Sequence, residues 1–216
     1  MDFERVCVYA GSSLGADRRF QDAAVALARM LVGQGIGIVY GGGKVGLMGI
    51  LADTARALGG EVIGVIPSSL VERELAHEQL SELRIVASMH ERKATMAELS
   101  DAFVALPGGI GTLEEIVEVL TWTRLGFHQK PCALLNVAGY YDQLIAFLDN
   151  AVEARFLPCE HRALLTVADS PETLFAELVE RGVEVTEVQH FPWGEFVFFS
   201  DPDGNKWSVQ ELPARD

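Results

Sequence analysis

The stretch Ala102-Phe103-Val104-Ala105-Leu106-Pro107-Gly108-Gly109-Ile110-Gly111-Thr112-Leu113-Glu114-Glu115 decides how this chain folds. Its first five residues read as a short strand buried on both faces and stopped abruptly by Pro-Gly-Gly. Beyond it, the spacing of Leu113, Ile116, Val117 and Leu120 predicts an amphipathic helix over 111–125. Glycines let backbone approach a ligand closely, and the free N–H groups at a helix start favour a phosphate. Glu115, a turn beyond such a site, would put a carboxylate near the sugar of a bound nucleotide.

Strand-like runs at 6–9, 36–40, 61–66, 83–86 and 132–136 flank this unit. They alternate with helical patterns at 18–32, 44–58, 89–100, 140–154 and 171–181. Short buried strands separated by helices predict an α/β fold, a doubly wound parallel sheet of Rossmann-like type. Ligands in such sheets sit beyond the carboxyl ends of the strands. Gly11-Ser12-Ser13, Gly41-Gly42-Gly43 and Pro107-Gly108-Gly109 all fall at that edge. After residue 181 the character changes: 183–188 alternates cleanly, and apolar runs at 196–199 and 207–210 flank the turn Asp201-Pro202-Asp203-Gly204-Asn205. These are hairpin signals. The expected organisation is a Rossmann-like nucleotide domain over 1–181 with a short appended antiparallel β segment over 182–216.

The 216 residues suffice for one such domain and its core. A formal charge of −14 argues against a nucleic-acid polymer as partner, because phosphate backbones need a basic footprint. A small phosphorylated ligand needs only a few local cations and a helix terminus. Cys7, Cys132 and Cys159 show neither disulfide nor metal spacing, and no cofactor or metal is expected. The charged start Met1-Asp2-Phe3-Glu4-Arg5 and the lack of a membrane-length apolar run point to a cytoplasmic protein.

Thr112-x-x-Glu115 could be no more than a capping box closing a helix. The Pro-Gly-Gly-x-Gly before it favours a ligand, since capping needs no glycines. In Ser88-Met89-His90-Glu91-Arg92-Lys93, Ser88 and Glu91 again fit a capping box, leaving Arg92 and Lys93 in the first two turns. Cations there oppose the helix dipole by some tenths of a kcal/mol to about 1 kcal/mol, a cost that an anionic ligand would offset. Gly41-Gly42-Gly43-Lys44-Val45-Gly46-Leu47-Met48-Gly49 is neither a Walker A loop nor a dinucleotide fingerprint. Gly43 is expected to pack backbone against ligand, and Ser12 and Ser13 to hydrogen-bond it. No Gly-x-Ser-x-Gly elbow appears, and no lysine has a recognisable Schiff-base context.

Together these motifs resemble the LONELY GUY family of cytokinin-activating phosphoribohydrolases, historically mislabelled lysine decarboxylases. The likeness covers roughly 4–180 and extends through Thr121-Trp122-Thr123-Arg124-Leu125-Gly126-Phe127-His128 and Lys130-Pro131. It implies a homodimer that hydrolyses N6-modified adenosine 5′-monophosphates to free base and ribose 5-phosphate. The catalytic pair would be Arg92 and Glu115. Substrate contacts would fall on Glu74, Arg92, Lys93, Gly109, Ile110, Gly111, Thr112, Leu113, Glu114, Glu115 and Thr121. The competing readings are a non-catalytic nucleotide or molybdenum-cofactor carrier and, from the tail, a metal-dependent lyase or resistance protein. The tail resembles the end of a glyoxalase/bleomycin-resistance module, but one partial module cannot complete a site of that kind.

Overall fold

Strands that are apolar on both faces must lie between two helical layers. The computed structural model describes residues 3–71, 76–180, 189–191, 194–200 and 206–211. Seven strands, β1 (Arg5–Tyr9), β2 (Gly37–Tyr40), β3 (Val62–Pro67), β4 (Glu82–Val86), β5 (Ala102–Ala105), β6 (Cys132–Leu135) and β7 (Leu165–Ala168), form one sheet. Their order is β4-β3-β2-β1-β5-β6-β7, and every pairing is parallel. β2, β3, β5 and β6 are buried throughout, whereas the edge strand β4 is largely uncovered.

The helices are α1 (Arg18–Gly33), α2 (Gly46–Ala57), α3 (Met89–Glu98), α4 (Ile110–Arg124), α5 (Asp142–Glu153), α6 (Cys159–Arg162) and α7 (Pro171–Glu180). The chain steps outward from β1 to β4, then returns past β1 to β5 and continues to β7. Right-handed crossovers taken in opposite directions place α1 and α2 on one face and α3, α4 and α5 on the other. α1 buries Ala24, Leu27, Ala28 and Leu31, the stripe its spacing dictates. On the opposite face, Cys7, Tyr9, Phe103 and Leu134 meet Met96 of α3, Ile116 and Val119 of α4, and Tyr141. Each large apolar side chain buried there is worth roughly 1.5–3 kcal/mol.

The reversal of direction falls between β1 and β5. That is the switch point at which a doubly wound sheet opens a crevice, and the glycine turns after β1 and β5 line it. β7 is an element the sequence reading missed: Leu-Thr-Val-Ala is four residues long and too short to show a period. The chain divides into a unit of Asp2–Ala176 and a smaller one of Glu177–Asp216 that also takes in Met1. In the smaller unit β8 (Gln189–Phe191), β9 (Gly194–Ser200) and β10 (Lys206–Glu211) pair antiparallel in the order β10-β9-β8. The alternating run 183–188 and the turn 201–205 lie outside the described residues. Among the described residues no helix is long and apolar enough to cross a membrane.

Candidate active site

α4 begins one residue earlier than its apolar pattern suggests, with Gly109 as N-cap. Thr112 is therefore the third residue inside the helix, and the capping-box reading of Thr112 and Glu115 is wrong. No side chain caps α4. Its first N–H groups have no acceptor within the helix, the setting in which a helix start can take an anion. The carbonyls of the three residues before Gly109 all have partners. Leu106 O accepts from Tyr141 Oη at 2.7 Å, Pro107 O from Gly11 N at 3.1 Å and Gly108 O from Tyr140 Oη at 2.5 Å. The three carbonyls are thus each held by a donor from a neighbouring element. A methyl at Gly108 would collide with Thr112 Oγ1 and lie 2.9 Å from Gly11 N, so the turn admits only glycine. The crevice is lined by Ser12, Ser13, Phe20, Gly108, Gly109 and Tyr140. Tyr140 and Tyr141 went unnoticed in the sequence, where their place just after β6 was the available signal.

At the start of α2, by contrast, Leu47 N and Met48 N donate to Gly11 O at 2.9 and 3.4 Å. With these donors taken, the Gly41-Gly42-Gly43 turn has another use. Arg92 of α3 is buried and donates from Nη2 to Gly41 O at 3.2 Å, with Nη1 3.8 Å from Met89 Sδ. A methyl at Gly41 would collide with Nη2. This glycine makes room for the arginine. Gly43 is buried and bridges to Ala76.

Arg92 Nη2 lies 3.9 Å from Glu115 Oε1, and both side chains are shielded, at 6% and 13% exposure. Burial pushes the Cys7 thiol well above its usual range, with a further push from the charge of Glu115, and burial does the same to the Tyr9 phenol. Cys7 is an inert core thiol, not a nucleophile. At α3 the Ser88 half of the capping box forms, Ser88 Oγ accepting from Glu91 N at 3.1 Å, while Glu91 Oε2 reaches one residue further back and accepts from Ala87 N at 2.7 Å. Lys93 is buried as well, with Nζ 2.6 Å from Glu114 and 2.9 Å from Glu118. Burial opposes its charge, yet the two carboxylates outweigh that and hold its pKa above the ordinary lysine range. The cost of cations early in α3 is thus met in part by acids of α4.

Along α4, Glu115 stands ~6 Å beyond Gly111, a little over one turn. Ser13 and Gly109 line the crevice, Ile110 and Gly111 are exposed in the first turn of α4, Thr112 is buried beside Gly108, and Arg92 and Glu115 face each other between α3 and α4. Thr121 does not join them. It lies nearly two turns further along α4, donates to Val117 O at 2.7 Å, and faces an apolar groove among α4, α5 and α6. Leu113 is half-buried against the core. Glu74 lies outside the described residues. Among the described residues no three His, Cys, Asp or Glu side chains converge as a metal would require.

The sheet order and its switch-point crevice make this a Rossmann-like α/β protein. A family model described as "Possible lysine decarboxylase" matches residues 48–178. The probable cytokinin riboside 5′-monophosphate phosphoribohydrolase LOGL9 of Oryza sativa subsp. japonica is 55% identical over 178 residues, covering 82% of this chain and 78% of that protein. LOG3 of Arabidopsis thaliana, named cytokinin riboside 5′-monophosphate phosphoribohydrolase, is 51% identical over 178 residues, or 82% and 83% of the two chains. The chain therefore belongs to the LOG family of cytokinin riboside 5′-monophosphate phosphoribohydrolases. Among solved structures, the molybdenum cofactor binding protein of Rippkaea orientalis superposes with a TM-score of 0.61 at 25% identity over 83% of this chain and 97% of that one. The molybdenum cofactor carrier protein of Chlamydomonas reinhardtii gives 0.60 at 20% identity, over 82% and 96%, and shares the fold.

Proposed function

We propose that the chain hydrolyses the N-glycosidic bond of N6-modified adenosine 5′-monophosphates, releasing free base and ribose 5-phosphate. The observation that carries this reading is the uncapped start of α4 with Glu115 just over a turn behind it, facing Arg92. The 5′-phosphate rests on the amides of Gly109, Ile110, Gly111 and Thr112, with Ser13 on the opposite wall. The ribose then spans towards Glu115. Breaking the bond from the base to C1′ builds positive charge on the sugar. An ionised Glu115 stabilises that charge and orients the attacking water. Guanidinium groups are poor proton donors, so the role of Arg92 is to fix the substrate and stabilise the departing purine. A site shielded from bulk water strengthens each of these charge interactions.

Identity of 55% to a protein named as a phosphoribohydrolase, against 25% to a cofactor-binding one, favours hydrolysis over a carrier role. The homodimer belongs to the same proposal. Thr121 is remote from Glu115 within one chain and borders an apolar groove with Val117, which is 46% exposed; a second copy seated there would cover both. The tail beyond 181 reads as part of a glyoxalase/bleomycin-resistance module, a fused remnant. The test of the reaction is Glu115→Gln, which keeps the shape of the side chain. Nucleotide binding by calorimetry is expected to persist while turnover falls at least ~100-fold. Near-normal turnover would remove Glu115 from this role.

A further inference from the structure

We propose that Lys93 is a positioning residue: with Glu114 and Glu118 it forms an ion triad that locks α3 to α4 and so fixes the spacing between Arg92 and Glu115. The inference rests on the hydrolase reading above and departs from the family resemblance at two residues, Lys93 and Glu114, which that resemblance counts among substrate contacts. Lys93 directly follows Arg92, and Glu114 directly precedes Glu115. The ammonium of Lys93 lies 2.6 Å from Glu114 and 2.9 Å from Glu118, so two of its three donors are engaged. Its side chain is 9% exposed, and that of Glu118 is 26% exposed. Glu114 and Glu118 stand four apart on α4, on one face, and grip the ammonium from two successive turns. One helix is thereby pinned to the other at the residues adjoining the pair that faces substrate. Arg92 Nη2 and Glu115 Oε1 are 3.9 Å apart across the two helices, so a shift of α3 against α4 changes that separation directly. A phosphate wanting Lys93 would have to draw it off two carboxylates.

The two roles diverge when each side of the triad is removed. A phosphate-binding lysine freed of its acids would bind nucleotide as well or better, whereas a clamp fails from either side. The experiment measures kcat and KM with an N6-prenylated adenosine 5′-monophosphate for wild type, Lys93→Met, Lys93→Arg and the double variant Glu114→Gln/Glu118→Gln. Nucleotide affinity is measured on a Glu115→Gln background with and without Lys93→Met. A misplaced catalytic pair is expected to lower kcat of Lys93→Met about 10- to 100-fold. KM and affinity should stay within about threefold. The double variant should lose kcat in the same way, and Lys93→Arg should restore part of it. If Lys93→Met fails to fold, the double variant decides alone. Weakened affinity with kcat intact, or a double variant of normal or improved activity, would overturn the clamp and leave the hydrolase reading standing. An inactive wild type would bring down the hydrolase reading, and the clamp with it.

Discussion

Arg92 brings a fixed charge into a place that a single added methyl group would close. Gly41 leaves the gap, its carbonyl accepts the guanidinium, and Glu115 supplies the opposing charge. Removing one partner of a buried charge pair commonly costs about 3–5 kcal/mol, and Glu115→Gln incurs that cost without the cavity that alanine would add. Arg92 and Glu115 stood out in the sequence because each sits in a compact local motif. The part played by Gly41 did not, because it lies 51 residues from Arg92 and the pairing exists only once β2 and α3 are packed. His128 gives a test at this scale away from the site. Its Nδ1 accepts from Lys130 N at 3.2 Å, and its ring lies 5.3 Å from that of Phe103. Burial, and then the charge of Lys130, lower its pKa. The unfolded chain, with a pKa near 6.5, then holds more protons than the folded one just below that value. The contribution of His128 is full above about pH 6.5 and is lost as pH falls towards the depressed folded value. The Tm of wild type should therefore drop more between pH 7.5 and 5.5 than that of His128→Asn, whose amide oxygen can still accept from Lys130. Equal drops would clear His128.

Two helices that look alike in sequence differ at their starts. α3 closes its first turn with Ser88 and Glu91, whereas α4 starts at Gly109 with no side chain over its amides. Both stretches carry a Ser/Thr-x-x-Glu pattern, and pattern alone cannot say where the first helical residue falls. The glycines before α4 decide it, because they let the helix begin before Thr112 could cap it. Gly108→Ala tests this turn. Its methyl would meet Thr112 Oγ1 and the backbone of Gly11, and overpacking of that kind costs about 1–3 kcal/mol. The expected outcome is a lower Tm together with at least a ~10-fold weaker competition by ribose 5-phosphate, as the start of α4 shifts. A variant that binds ribose 5-phosphate as wild type does would show that the anion is held elsewhere. Among the strands, β1 to β6 were legible as apolar runs, and β7 was lost because four residues with a threonine among them show no periodicity.

Across the whole molecule, the order of the strands does what no single motif does. The reversal between β1 and β5 brings the Gly11-Ser12-Ser13 turn against Pro107-Gly108-Gly109, nearly a hundred residues apart, and opens the crevice between them. That edge could be anticipated from three glycine turns following three strands. The division of labour among them could not: Pro107-Gly108-Gly109 leads into the uncapped start of α4, while Gly41 admits an arginine, a difference set by which helix packs over each turn. The central claim is that the protein grips a 5′-phosphate at the start of α4 and thereby sets the glycosidic bond beside Glu115. Its most direct test is product analysis of wild type given an N6-prenylated adenosine 5′-monophosphate and, separately, the same nucleoside without phosphate. The expected result is free base and ribose 5-phosphate in equal amounts from the monophosphate, and turnover of the bare nucleoside slower by about 100-fold or more for want of the anchoring anion. Equal rates on the two compounds, or no free base from either, would contradict it.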